Sequence, residues 1–421
     1  MGLSQQMLGG AVGALNAGGK VLRLAGVTRP RLDRESLLTA AHRRTGLDEL
    51  GDWAIDEAVD RLLESYESEA ALTALGRITA REMIVSQYET LLYMERERQQ
   101  RPEITDEPIV APVFIIGLPR TGTTILHNLI CASDSVRKPL TYEVWYPSRF
   151  PPTAQGTARA QKLTQSRLRW AGRLVPEFRK IHPMAPDLPQ ECIAITAQVF
   201  MSIQFHTTHN VASYQNWFEQ DSQQLAYDFH RRMLQHLQSH AGERLEANGD
   251  GCRWLLKAPG HLFALDALLK QYPDAKIVQT HRDPLRVTAS MASHACSLRQ
   301  AFSDDADPTA VSADWSRRWG DALHRFLNVR DRSNPDRFLD VAYNDIESDP
   351  LAAIERIFDF AGWSLEPATA SRIESFLAAN PKNKHGVHRY SLAQYGLSRE
   401  EELKRYQEYC ERFEIPIQAD A

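Results

Sequence analysis

Apolar residues in the first hundred positions recur at helical spacing. Leu3, Met7, Leu8, Ala11, Val12, Leu15 and Leu22 form one such series, weakened by interspersed glycines. Ile55, Ala58, Val59, Leu62 and Leu63 predict a second helix with Asp52 as its cap, and a long third helix is expected over about residues 68–98. Then the period changes. Pro112-Val113-Phe114-Ile115-Ile116-Gly117 is a short apolar run bounded by Pro and Gly, as a buried parallel strand requires, and a helix is expected from Gly122. Arg253 to Lys257, Lys276 to His281 and Phe338 to Val341 repeat the pattern. Each precedes a helical stretch: one through Leu262, Leu265, Leu268 and Leu269, one capped by Asp283 with Pro284 in its first turn, and one from about Pro350 to Ala361.

Strands alternating with helices predict an α/β fold with a P-loop-like parallel sheet flanked by helices. The organisation expected is a helical N-terminal region over 1–108, an α/β domain over 109–400, and a C-terminal helix or tail over 401–421. Residues 151–250 read as a helical, substrate-side insertion, strand-poor and rich in Gln, His and aromatics. Trp170, Phe178, Phe200, Phe205, Tyr214, Trp217 and Phe218 are candidates to line an apolar pocket there, although aromatics in a helical region are more often core.

Composition changes this picture little. The 421 residues are 43% hydrophobic and 24% charged, ordinary for a globular protein. A net charge of −5 gives no global reason to bind nucleic acid or an anionic surface, so an anion site must be a local cluster of cations and backbone amides. Cys131, Cys192, Cys252, Cys296 and Cys410 are scattered, without metal-ligand or disulfide-framework spacing. His206 and His209, three apart, lack a nearby carboxylate or Cys that would make them a metal pair. No run reaches the ~18 apolar residues of a membrane span, and the first residues lack a secretory pattern. The expectation is a cytoplasmic protein. Its first amphipathic segment has few cations and better suits packing than peripheral membrane contact or oligomer formation.

The chemistry lies in Gly117-Leu118-Pro119-Arg120-Thr121-Gly122-Thr123-Thr124. A strand, this loop and a helix place consecutive N–H groups and a helix N-terminus around an anion, with Arg120 adding charge and Thr121, Thr123 and Thr124 adding hydroxyls. Gly117 and Gly122 have Walker A spacing, yet Thr123 stands where the lysine for a nucleoside triphosphate must be. A cation inside the loop suits a shorter polyanion such as a 5′-phosphosulfate. Arg282 closes another strand, with Ser290 eight residues on, and a guanidinium fork with a hydroxyl suits a second phosphate. Lys257 stands at the strand edge where open parallel sheets bind ligands.

That loop, with Leu256-Lys257-Ala258-Pro259-Gly260-His261 and Thr280-His281-Arg282-Asp283-Pro284, resembles the sulfotransferase family that uses 3′-phosphoadenosine-5′-phosphosulfate (PAPS). The likeness spans about residues 112–396 and is greatest to a bacterial branch with a long helical N-terminus; protein-tyrosine sulfotransferases are less similar. It implies that Arg282 and Ser290 hold the 3′-phosphate, that Lys257 contacts the transferring sulfuryl group, and that a basic loop with Lys384, His385, Gly386 and Arg389 closes on the 3′-phosphate end. Pro259 occupies the position of the histidine base of small-molecule sulfotransferases, so the base must lie elsewhere. Glu143 resembles the catalytic glutamate of the tyrosine enzymes, with a spacing difference of two residues, and Glu191 and His182 are the alternatives.

The expected reaction moves a sulfuryl group from PAPS to a hydroxyl of a small or lipid-like acceptor, leaving adenosine 3′,5′-bisphosphate. Arg120, Lys257 and the loop amides would stabilise the developing charge, with no metal. A nucleotide kinase or NTPase with a degenerate loop, and a non-catalytic nucleotide-binding scaffold, are the alternative readings.

Overall fold

The computed structural model describes residues 30–134, 136–174, 184–241, 253–379 and 391–417. The expected series at Leu3 to Leu22, together with Phe178, His182, Cys252, Lys384, His385, Gly386 and Arg389, lies outside them.

All four strands expected from the apolar runs are present: β1 (Val113–Gly117), β2 (Leu255–Lys257), β3 (Lys276–His281) and β4 (Phe338–Ala342). They form one parallel sheet in the order β2-β1-β3-β4, with Ile115 opposite Lys257 and Gly117 opposite Thr280. Alternate side chains of β1 serve two cores, as the strand pleat requires. Phe114 and Ile116 face the larger core, while Val113 and Ile115 join Leu255, Val278 and Val341 in the smaller.

Among the described residues, three α-helices precede the sheet: α1 (Arg34–Thr45), α2 (Asp56–Ser68) and α3 (Ala74–Gln100). The first was not legible in the apolar pattern; Asp33 caps it by accepting from the Ser36 amide (2.9 Å). The second starts at Asp56 on a helical Ile55, so Asp52 is not its cap. The third begins later than expected because Ala71 takes a φ of +44° and Thr73 restarts the helix, its hydroxyl accepting from the Gly76 amide at 2.9 Å. After β1 come α4 (Thr123–Ile130), the short α5 (Thr141–Trp145) and α6 (Ala154–Leu174); α7 (Gln224–Ser239) ends the insertion. Later helices include one over Leu265–Gln271 after β2, as expected, and α8 (Pro284–Phe302), α9 (Pro308–Asp331) and α10 (Pro350–Ala361). As the sequence implied, the Asp283 side chain caps α8 by accepting from the Leu285 amide at 3.0 Å.

Most of the insertion's aromatics are core. Phe200, Phe205 and Tyr214 are fully buried, whereas Trp170 is exposed. His206 Nε2 meets Asp314 (2.7 Å) and His209 Nδ1 meets the Tyr66 hydroxyl (3.2 Å), so both rings are held by protein partners.

Buried imidazoles give the fold a pH dependence. His127, His209 and His230 are each pushed down to about 3, chiefly by burial, from the ordinary 6.5. Between those values the unfolded chain binds protons that the folded chain does not, so stability is fullest above pH 6.5 and falls on acidification. Below pH ~6 each such histidine adds a slope of about 1.4 kcal/mol per pH unit. Denaturant titrations at pH 7, 6 and 5 check this; an unchanged midpoint contradicts neutral burial.

Candidate active site

Chain connections diverge at the carboxyl edge of β1 and β3. From β1 the chain crosses to β2 on one side, and from β3 to β4 on the other. Open parallel sheets bind ligands in the crevice at such a switch point. The loop after β1 and Arg282 after β3 both lie there.

The loop's path is dictated by contacts to β3. At Gly117 an added Cβ would lie 2.3 Å from Thr280 Oγ1, so only glycine lets β1 pass this hydroxyl. The Thr121 hydroxyl donates to the Leu118 carbonyl (2.7 Å) and meets the Thr280 hydroxyl (2.6 Å). Its side chain is therefore turned into the protein, a correction to the expectation of a ligand-facing hydroxyl, so only its backbone N–H could serve an anion. Arg120 and Gly122 both take left-handed conformations, with φ of +69° and +90°. Such alternation turns successive amides inward into an anion-binding nest. No side chain caps α4 at Gly122, so its first-turn amides keep their donor capacity toward the crevice. Thr123 is buried behind the loop and Thr124 is half-buried.

Arg282 joins this loop to the next strand. Its Nη1 donates to the Arg120 carbonyl at 2.8 Å, and its guanidinium sits 3.8 Å from the centroid of the Tyr343 ring. Tyr343 also packs on Gly122, where a Cβ would come within 2.9 Å of its Cδ2. Burial lowers the pKa of Arg282, and the like charges of Arg286 and Arg120 lower it further, against the opposing effects of Tyr343 and Glu347. The charges of Arg286 and Arg120 are thus felt at the Arg282 guanidinium. Ser290 lies half-buried on α8, the helix that Arg282 introduces.

Lys257 ends β2 and is almost fully buried. Its Nζ donates to Thr124 Oγ1 (3.3 Å) and to Glu191 Oε1 (2.5 Å), coupling the phosphate loop to a carboxylate. Behind it, the His127 imidazole is held neutral by burial and by the Lys257 charge, down to about 3. Glu191 reaches the lysine because its segment is pinned: Pro189 bridges to Leu140, the Gln190 amide donates to the Pro139 carbonyl (2.8 Å), and the Glu191 amide donates to Gln190 Oε1 (2.8 Å).

Glu143, the first candidate for the base, is engaged elsewhere. Its Oε2 accepts from the Leu140 amide (2.9 Å) and Arg137 (3.0 Å), and its Oε1 accepts from Arg137 (2.8 Å). Arg137 in turn stacks on Trp254, ahead of β2, rather than at the strand's carboxyl end. This carboxylate caps α5 and clamps an arginine. Sequence reasoning gave no role to Thr280, Tyr343 or Arg286. Tyr343 was detectable in principle, since it follows the carboxyl end of β4.

Residues 112–367, which contain the loop, Glu191, Lys257, Arg282, Ser290 and Tyr343, match the model of the Sulfotransferase family. The chain belongs to the sulfotransferase family. It is a sulfotransferase by this match and by likeness to named relatives. A crystal structure of sulfotransferase STF1 from Mycobacterium tuberculosis superposes with a TM-score of 0.76 at 31% identity, over 89% of this chain and 98% of that one. Sulfotransferase STF9 from Mycobacterium avium shares the fold, with a TM-score of 0.79 at 24% identity over 93% and 99% of the two chains. The omega-hydroxy-beta-dihydromenaquinone-9 sulfotransferase Stf3 of Mycobacterium bovis is 25% identical over 305 residues, 68% of this sulfotransferase and 72% of its relative. Among the described residues, no helix is long and apolar enough to cross a membrane.

Proposed function

We propose that this sulfotransferase takes PAPS as donor and a hydroxylated lipid as acceptor. The observation that carries the donor assignment is Arg282, which donates to the loop carbonyl of Arg120, stacks on Tyr343 and forms a basic cluster with the nearby charge of Arg286 on the helix it introduces. One anion on the loop amides and a second on this cluster match a nucleotide carrying phosphate at both its 5′ and 3′ positions. The basic loop with Lys384, His385, Gly386 and Arg389 is assigned to the 3′ end by family resemblance. The lipid acceptor is supported by the relative named for a hydroxylated menaquinone.

In this reading the acceptor oxygen forms a bond to sulfur as the bond from sulfur to the 5′-phosphate oxygen breaks. The hydroxyl proton passes to Glu191, and the electron pair of the broken bond leaves on the phosphate. Lys257 and the loop amides stabilise the charge on the leaving group and the equatorial oxygens. Lys257 is paired with Glu191 at 2.5 Å. Drawing the ammonium toward the donor weakens that pair and makes the carboxylate a better proton acceptor, so donor binding arms the base.

Thermal stability tests the donor site directly. Adenosine 3′,5′-bisphosphate is expected to raise the Tm well above the rise given by 5′-AMP, and Arg282→Ala is expected to abolish the difference. Equal shifts from both ligands on the unaltered protein would remove the second phosphate from the reading.

A further inference from the structure

Helix α6 has a composition unlike the rest of the chain. It carries Arg159, Lys162, Arg167, Arg169 and Arg173 and no Asp or Glu, in a protein of net charge −5. Its buried side is a narrow row of Gly156, Ala160, Thr164, Leu168 and Gly172, one residue per turn. Arg167 points toward that side, over the Trp145 ring at 5.2 Å and toward Ser86 Oγ at 3.2 Å. The outward face holds two large apolar side chains seven residues apart, hence on one line: Leu163, 40% exposed, and Trp170, 58% exposed. Exposed cations flank them: Arg159, Lys162, Arg169 and Arg173, the last with its guanidinium 5.3 Å from the centroid of the Trp170 ring.

A solvated helix face has no need of an outward tryptophan, and a dock for a neutral protein has no need of four cations. Apolar anchors among cations suit the boundary between anionic headgroups and acyl chains, where an indole sits at headgroup level. The helix is also fastened to the catalytic segment. Gln161 Nε2 donates to Asp187 at 2.6 Å, and Leu188 beside it is 37% exposed, three residues before Glu191. We propose that the outer face of α6 docks this sulfotransferase on an anionic phospholipid surface, with Trp170 and Leu163 inserted and the flanking cations on the headgroups. Docking there would present the Leu188–Glu191 segment to an acceptor held in the bilayer. The helix carries this inference by itself; a lipid acceptor only gives it a use.

The test uses the full chain and two vesicle types, phosphatidylcholine alone and phosphatidylcholine with about a third phosphatidylglycerol. Binding to the anionic vesicles is expected to be at least about tenfold tighter and to weaken with salt. Each cation removed is expected to weaken it about fivefold, so replacing Arg159, Lys162, Arg169 and Arg173 together by Gln costs roughly several hundredfold. Brominated acyl chains should quench tryptophan emission in the unaltered protein and much less in Trp170→Phe. Equal partition onto both vesicle types overturns the proposal, as does unchanged binding by the fourfold Gln variant. A self-association lost in Trp170→Ala, without vesicle binding, would reassign the face to a second copy of the chain. The thermal shift with adenosine 3′,5′-bisphosphate, measured on every variant, reports folding and donor binding separately, so the membrane inference can fail while the donor reading stands.

Discussion

Glu191→Gln is expected to lower kcat by about two to four orders of magnitude, the range lost when a positioned general base is removed. Glutamine has the shape of glutamate and can still accept a hydrogen bond from Lys257, so the segment from Pro189 should stay in place. Only the capacity to take the acceptor proton disappears. Donor binding should therefore change little, and the thermal shift with adenosine 3′,5′-bisphosphate should match that of the unaltered enzyme. The contrast is Glu143→Gln. It weakens a bidentate clamp on Arg137 and a helix cap, so its effect should be on stability rather than on the chemical step. Single-turnover rates at saturating donor decide between the two residues. If Glu143→Gln loses the chemical step and Glu191→Gln keeps it, the base assignment is reversed.

Lys257→Ala is expected to cost about two to three orders of magnitude in kcat, equivalent to ~2.7–4 kcal/mol of transition-state stabilisation. Its ammonium is buried and touches both the Thr124 hydroxyl and the Glu191 carboxylate, so one substitution removes a transition-state cation and the partner that orients the base. For that reason the losses should not add. The Lys257→Ala, Glu191→Gln double variant should be only slightly slower than the worse single variant, since residues acting as a unit are strongly non-additive. Fully additive losses would show that the two side chains act independently.

The parts of this site that sequence exposed are those fixed by a strand and its next few residues. The apolar run before Gly117, the missing Walker lysine at Thr123, and the cations closing the second and third strands all follow from local pattern and the rule that parallel sheets bind at their carboxyl edges. Tertiary events stayed hidden. Nothing local to Glu191 shows that its segment bridges to Leu140 and meets Lys257. Nothing local to Glu143 shows that Arg137 will claim both its oxygens. The start of α3 was placed too early for a related reason. The apolar period runs on, while Ala71 adopts a backbone conformation that composition does not disclose. Thr121 reads as one more loop hydroxyl until Thr280 is placed beside it.

Arg120 sets the needs of the fold against those of the ligand. Its φ of +69° is one that glycine adopts freely and that costs a residue with a Cβ roughly 1–2 kcal/mol. Two residues on, Gly122 accepts a similar backbone without that strain. Selection for thermostability alone would favour glycine at position 120 as well, and so would a designer idealising the backbone. An exposed arginine there, held in a strained backbone, is where we expect optimisation for folding and for donor binding to diverge. Consensus or stability-driven redesign of this enzyme would be drawn to a residue whose replacement is expected to weaken donor binding.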